Sequence, residues 1–293
     1  MKLGSLIQSH QKAQRKYNKL LSIIICQRKL SNQSFLLTII IKNVLYFSIM
    51  QKSINALLEI CCYSPSAALV AQSAGAHRIE LCDNPGEGGT TPSYGILKWI
   101  RENILIPVFP IIRPRGGHFV FSEDEFAIMA EDISVCKTLG FEGVVIGQLT
   151  ANADVDYDQT AQLTEIAWPM EVTFHRAFDR VRDPMASLET IIKAGCQRIL
   201  TSGQKPIAPE GAKLLSELVK AAENNIIIMP GSGVRSSNII ELAKETGAVE
   251  FHSSASIKIP EAYYTPPGME EHLDQVLPDP KEIKSLLEML NRL

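Results

Sequence analysis

Residues 57–82 read LLEICCYSPSAALVAQSAGAHRIELC, and this stretch decides the fold. Two short strand-like runs, Leu57–Cys62 and Arg78–Cys82, flank a segment of helical period, Pro65–Ala74. Proline after Ser64 opens the helix at a position whose N–H has no intrahelical partner, and Gly75 closes it. The same order recurs along the chain. Further strands are predicted at Pro107–Ile112, Gly143–Gly147, Glu171–His175, Arg198–Thr201, Ile226–Met229 and Val249–His252. The helices between and after them are predicted at Pro92–Arg101, Glu123–Leu139, Tyr157–Ala167, Pro184–Lys193, Pro209–Glu223, Ser237–Thr246 and Lys281–Leu293. Eight βα units in about 240 residues is the size of a single (β/α)8 TIM barrel. An open doubly wound sheet is the alternative, weakened because no Gly-x-Gly-x-x-Gly follows the first strand. Pro110 falls inside the third predicted strand and has no N–H for a ladder, so a local irregularity is expected there.

Upstream of this body the character of the chain changes. The 293 residues carry 29 Lys and Arg against 32 Asp and Glu, a net charge of −3. Residues 1–49 hold eight of the basic side chains and no acidic one, leaving 21 basic against 32 acidic in the rest, a net of −11. So acidic a body repels phosphate backbones, which excludes nucleic acid as its partner. The apolar runs Leu20–Cys26 and Phe35–Ile41 fall short of the ~20 residues of a membrane span. Residues 1–49 read as a basic and apolar extension outside the fold, with the barrel over 50–293. The extension is expected to be sequence upstream of a true start at Met50, with a targeting segment or a basic interfacial helix as the alternatives.

In a barrel the strand C-terminal ends and their loops build the functional face. Side chains two apart on a strand share a side, so Glu59 goes with Cys61 and Glu80 with Cys82. Parallel neighbours lie about 4.8 Å apart, so matched register brings the two sulfurs together. Two converging thiols suit a soft ion such as Cu(I) better than Mg²⁺, while small core cysteines are the bland alternative. At the end of the fifth strand, His175 with Asp179 is a candidate acid/base pair, against a reading in which Asp179 and Arg176 pin the loop. Arg113 and Arg115 follow the third strand as cationic forks for a carboxylate or phosphate. Ser202 and Gly203, then Gly231, Ser232 and Gly233, then Ser254 form small-residue bends after the last three strands, and the second and third of these follow strands seven and eight, where barrels tend to hold phosphate.

The motifs Glu59-Ile60-Cys61, Arg78-Ile79-Glu80-Leu81-Cys82, Gly88-Gly89-Thr90-Thr91-Pro92-Ser93, Ile112-Arg113-Pro114-Arg115-Gly116-Gly117, Thr173-Phe174-His175-Arg176-Ala177-Phe178-Asp179, Leu200-Thr201-Ser202-Gly203 and Glu250-Phe251-His252-Ser253-Ser254-Ala255 closely resemble the CutC family, named for copper homeostasis. The resemblance runs from about Leu57 to Ile257. It implies a cytoplasmic TIM-barrel protein that self-associates as a homodimer or higher homo-oligomer. It also implies a Cu(I) site whose ligands carry over onto Cys61 and Cys82, and on the copper reading the neighbouring Glu59 and Glu80 support them. The competing reading is a barrel enzyme or binder of a small phosphorylated or otherwise anionic metabolite, with no part in copper handling. Arg113 and the Gly231–Gly233 bend would then hold the anion and His175 would move a proton.

Overall fold

Every second residue of the first strand turns away from the barrel axis, and the chain is built around that alternation. The computed structural model describes residues 56–259 and 275–293. The 1–49 extension lies outside the described residues. Eight parallel strands are β1 (Leu57–Cys62), β2 (Arg78–Leu81), β3 (Val108–Pro110), β4 (Gly143–Ile146), β5 (Glu171–Phe174), β6 (Arg198–Thr201), β7 (Ile227–Pro230) and β8 (Glu250–Ser253). A helix follows each: α1 (Pro65–Ala74), α2 (Tyr94–Asn103), α3 (Glu123–Leu139), α4 (Tyr157–Ala167), α5 (Pro184–Lys193), α6 (Ala212–Ala222), α7 (Ile239–Thr246) and α8 (Pro280–Leu290). This is the (β/α)8 barrel the sequence calls for.

Leu58, Ile60 and Cys62 on β1, with Ile79 and Leu81 on β2, join the large apolar core beneath the helices. Cys61 and Cys82 belong instead to a small separate cluster with Phe109, Ile111 and Val145 inside the strand ring. Below that cluster the interior is ionic. Arg78 and Arg198 both bond Glu250 (2.8 and 2.6 Å), Arg78 also pairs with Glu59, and Arg198 reaches Glu171 (3.1 Å). The Phe109 ring lies 5.0 Å from the Arg78 guanidinium and 5.5 Å from that of Arg198. Barrel interiors are usually filled by branched apolar side chains. Here alternating charges take that place, so each buried charge depends on its neighbours.

Hydrogen-bonded pairing runs β3-β2-β1-β8 on one side and β4-β5-β6-β7 on the other. Proline marks both seams. Ile112 N donates to Val145 O (2.8 Å) and Ile111 N to Leu81 O (2.9 Å), so even-numbered amides of this segment face β4. Pro110 sits in that row and has no N–H to give, which shortens β3 to three residues and leaves one isolated bridge, Ile111 to Val145, at the seam. On β7, Ile227 N and Gly231 N both donate toward β6, so the amide position of Pro230 faces β8. The two strands still lie side by side there, since a Cβ on Gly231 would stand 3.3 Å from the Cβ of His252.

Other departures from expectation are local. The second helix starts at Tyr94, not Pro92, because the Ser93 side chain caps Ile96 N. A 3₁₀ turn, Ala208–Gly211, takes up the beginning of the sixth predicted helix. An antiparallel pair unforeseen in the sequence, β9 (Ser256–Ile259) with β10 (Gln275–Pro278), leads into α8. That helix is capped by Asp279 and buries Ile283, Leu286 and Leu290.

Candidate functional site

Strand register places the interior side chains in rows. Glu59 on β1 lies opposite Arg78 on β2 and His252 on β8, and one row higher Cys61 lies opposite Glu80. Cys61 is therefore staggered against Cys82 instead of matched to it, as the tilt of barrel strands requires. The sulfurs nonetheless converge diagonally, 3.9 Å apart and both buried. Cys61, Glu80 and Cys82 each offer a donor atom within 4.8 Å of the others. Gly89, at φ 102°, brings the next loop over this spot, and a Cβ there would stand 3.2 Å from the Cys82 sulfur.

His252 completes the cluster. Its Nδ1 lies 2.8 Å from Glu59 Oε1 and its Nε2 3.7 Å from Glu80 Oε2. The sequence reading gave it no role, although it alternates with Glu250 on one strand as Cys61 does with Glu59. Burial raises Glu59, but the Arg78 charge and His252 hold its carboxyl at about 2. The hydrogen bond shared with Cys82, together with the adjacent His252, holds Cys61 well below the ordinary thiol range despite burial. Cys82 is pushed well up by that same hydrogen bond and by burial. Burial and the Cys61 charge raise Glu80 well above a normal carboxyl. Burial opposes charge on His252, yet Cys61 and the two carboxyls raise it well above an ordinary imidazole. The cluster thus favours charge on Cys61 and His252 and disfavours it on Cys82 and Glu80.

A metal–thiolate bond is about 2.3 Å, so one ion bonded to two sulfurs spans at most about 4.6 Å. The 3.9 Å separation lies inside that reach. Two sulfurs and one carboxylate are too few oxygens for Ca²⁺ or Mg²⁺ and suit a soft ion. Glu80, read from the sequence as a supporting group, stands among the candidate donors, whereas Glu59 is committed to Arg78 and His252.

Above this cluster opens a cavity of about 1230 Å³, lined by residues from the strand ends that include Cys61, Glu80, Arg113, His175, Asp179, Ser232, Gly233, His252 and Ser254. Arg113 spends its fork on the carbonyls of Glu87 (2.7 Å), Gly89 (2.8 Å) and Gly117 (2.7 Å). Arg115 turns to Glu125, the third residue of the next helix. Asp179 receives hydrogen bonds from Thr201, Ser202, Gln204 and Arg176 and none from His175, so it pins the loops after β5 and β6. Ser202 joins that knot and Gly203 packs against Gly211, while the Ser232 hydroxyl donates to Pro206 O. Nδ1 of His175 accepts from Ala177 N (3.1 Å), and Gly147 leaves room for the ring. Burial and the Arg113 charge lower His175 to about 3.

Residues 56–257 match the family model described as the CutC family. A family protein CutC of Chromobacterium violaceum is 54% identical over 201 residues, covering 69% of this chain and 81% of its own. A solved structure from Streptococcus agalactiae, described under the name copper homeostasis protein CutC, superposes with a TM-score of 0.65 at 35% identity, over 68% of this chain and 98% of that one. The aldolase QR15 is similar in fold alone, with a TM-score of 0.53 at 13% identity over 69% of this chain and 92% of its own.

Proposed function

The chain belongs to the CutC copper homeostasis family, and from that premise we propose that it takes Cu(I) as cargo on Cys61 and Cys82. The observation that carries this reading is the pair of buried sulfurs 3.9 Å apart beside Glu80. Neither sulfur sits in a disulfide, so both are available as thiolates. Uptake of the ion displaces the Cys82 proton, because only a thiolate is an effective ligand. Two thiolates around a monovalent cation leave one negative charge, which a protonated His252 beside them would balance. Glu59 keeps the His252 ring in place, itself held ionised by Arg78. The cavity above supplies the route by which a carrier thiol or chelate reaches the sulfurs. No helix among the described residues is long and apolar enough to cross a membrane. A cytoplasmic, self-associating protein completes the proposal, on the strength of the family likeness.

The test is a competition titration under reducing conditions, with a chromophoric Cu(I) chelator and with Zn²⁺ as the rival ion. One Cu(I) per chain is expected, with Zn²⁺ held far more weakly because a closed Zn²⁺ site wants four donors. Cys61→Ser with Cys82→Ser should abolish binding. Unchanged stoichiometry in that double variant would sink the copper reading.

A further inference from the structure

Two buried donors at the cavity wall have no partner, and both belong to residues outside the sulfur cluster. They are Nε2 of His175 and Nε of Arg113, on side chains that are each about 4% exposed. Both residues line the cavity. They flank one aromatic ring: the Arg113 guanidinium lies 4.9 Å from the centre of Phe119, whose ring lies 5.0 Å from that of His175. A buried polar group without a partner costs about 1–3 kcal/mol, so such a pair needs an explanation.

The tautomer of His175 follows from its surroundings. Nδ1 accepts from Ala177 N and so carries the lone pair. The neutral ring therefore has its proton on Nε2, and that N–H is the orphan. A base would have to present a lone pair to the cavity, and here the lone pair is turned to the backbone. His175 is thus fitted to donate to an oxygen, as a neutral imidazole does when it polarises a carbonyl.

The charge of the wall points to the rest of the ligand. Arg180, Lys205 and Arg235 line the cavity, and none of them forms an ion pair among the described residues. This positive mouth opens in a body whose residues beyond 49 carry a net −11, so it concentrates small anions. Three unpaired cations suit a phosphate monoester, with its charge of about −2, better than a single carboxylate. A cavity of about 1230 Å³ has room for a metabolite and not merely for an ion.

We propose that the barrel mouth binds a small phosphorylated carbonyl compound, with the His175 Nε2–H donating to its carbonyl oxygen and Arg235 and Lys205 receiving its phosphate. The site shares its cavity with Cys61 but is built from other residues, and it stands whether or not copper binds below it. His175 is a positioning and polarising donor in this arrangement, and the group that orients its ring is Ala177 N, not the Asp179 paired with it in the sequence.

Dihydroxyacetone phosphate, dihydroxyacetone and inorganic phosphate serve as probes, titrated calorimetrically into the full chain. The phosphorylated ketone should bind more tightly than either fragment. In ¹⁵N-histidine spectra its addition should shift the protonated Nε2 of His175 and leave Nδ1 unprotonated. His175→Ala should weaken it by about tenfold, the worth of one hydrogen bond, and leave inorganic phosphate unaffected. His175→Gln, which keeps an N–H donor, should restore part of the loss. Arg235→Ala should weaken both phosphate probes and spare dihydroxyacetone. Absence of saturable binding in the unaltered protein, or an equal loss of both phosphate probes in His175→Ala, overturns the proposal. Cu(I) titration of the same variants should match the unaltered protein, so this reading and the copper reading fail separately.

Discussion

Replacing Arg78 by Met tests the ionic interior most directly. The guanidinium is fully buried and bonds both Glu59 and Glu250, and Met is long enough to fill most of its volume. What the substitution removes is therefore charge. Breaking a buried ion pair from one side costs about 3–5 kcal/mol, because the abandoned partner stays desolvated. For a barrel of this size each kcal/mol lowers Tm by about 2–4 °C, so a fall of about 6–20 °C is expected. The pH dependence gives an independent handle. Glu59 sits at about 2 in the folded protein against 4.5 for a free side chain, which corresponds to about 3 kcal/mol. That contribution is fully present above 4.5 and is lost as pH falls through 2. Without Arg78, burial dominates and raises the carboxyl, so acidification relieves the variant while it weakens the parent. Urea unfolding followed by circular dichroism at about pH 7 and about pH 4 should show the gap narrowing on acidification. A variant within about 1 kcal/mol of the parent at neutral pH, or a gap that widens in acid, refutes the account.

Phe109→Ala removes the ring that covers Arg78 and Arg198 and should cost about 3–5 kcal/mol in the same unfolding assay, more than its apolar area alone accounts for if the arginines become wet. His175 is held at about 3 against an ordinary 6.5, so its share of stability is present above 6.5 and lost as pH falls toward 3. His175→Gln should accordingly flatten the loss of urea midpoint between about pH 7 and about pH 5, and an unchanged slope would show the ring to be wet. Gly147→Ala would put a Cβ 2.3 Å from the His175 ring, so a loss of about 1–3 kcal/mol and a displaced His175 resonance are expected. Ser122→Ala removes a capping box and should lower stability by about 1 kcal/mol without touching ligand binding, which serves as a control on remote effects.

Local rules carried the sequence reading a long way. Ser64-Pro65 and Gly75 bound α1 in the structure as they do on paper, because a cap, a proline and a left-handed residue act within four residues of themselves. Period-two alternation likewise put Glu59 with Cys61 and Glu80 with Cys82 on one side of their strands, and the barrel made that side the inner one. What those side chains meet was a matter of tertiary structure. Glu250 reaches Arg78 from 172 residues away and Arg198 from 52, and no window along the chain contains such a row. The stagger between β1 and β2, set by strand tilt, decided that Cys61 faces Glu80 and meets Cys82 on the diagonal. His175 shows the same division: its place at the end of β5 follows from the strand pattern, whereas its partner depends on which backbone amide the 3₁₀ turn Arg176–Arg180 brings to Nδ1. The sequence determined which elements form and which way their residues point, since those are near-neighbour effects. Closing the ring determined the chemistry, since charge and hydrogen bonding depend on distance in space.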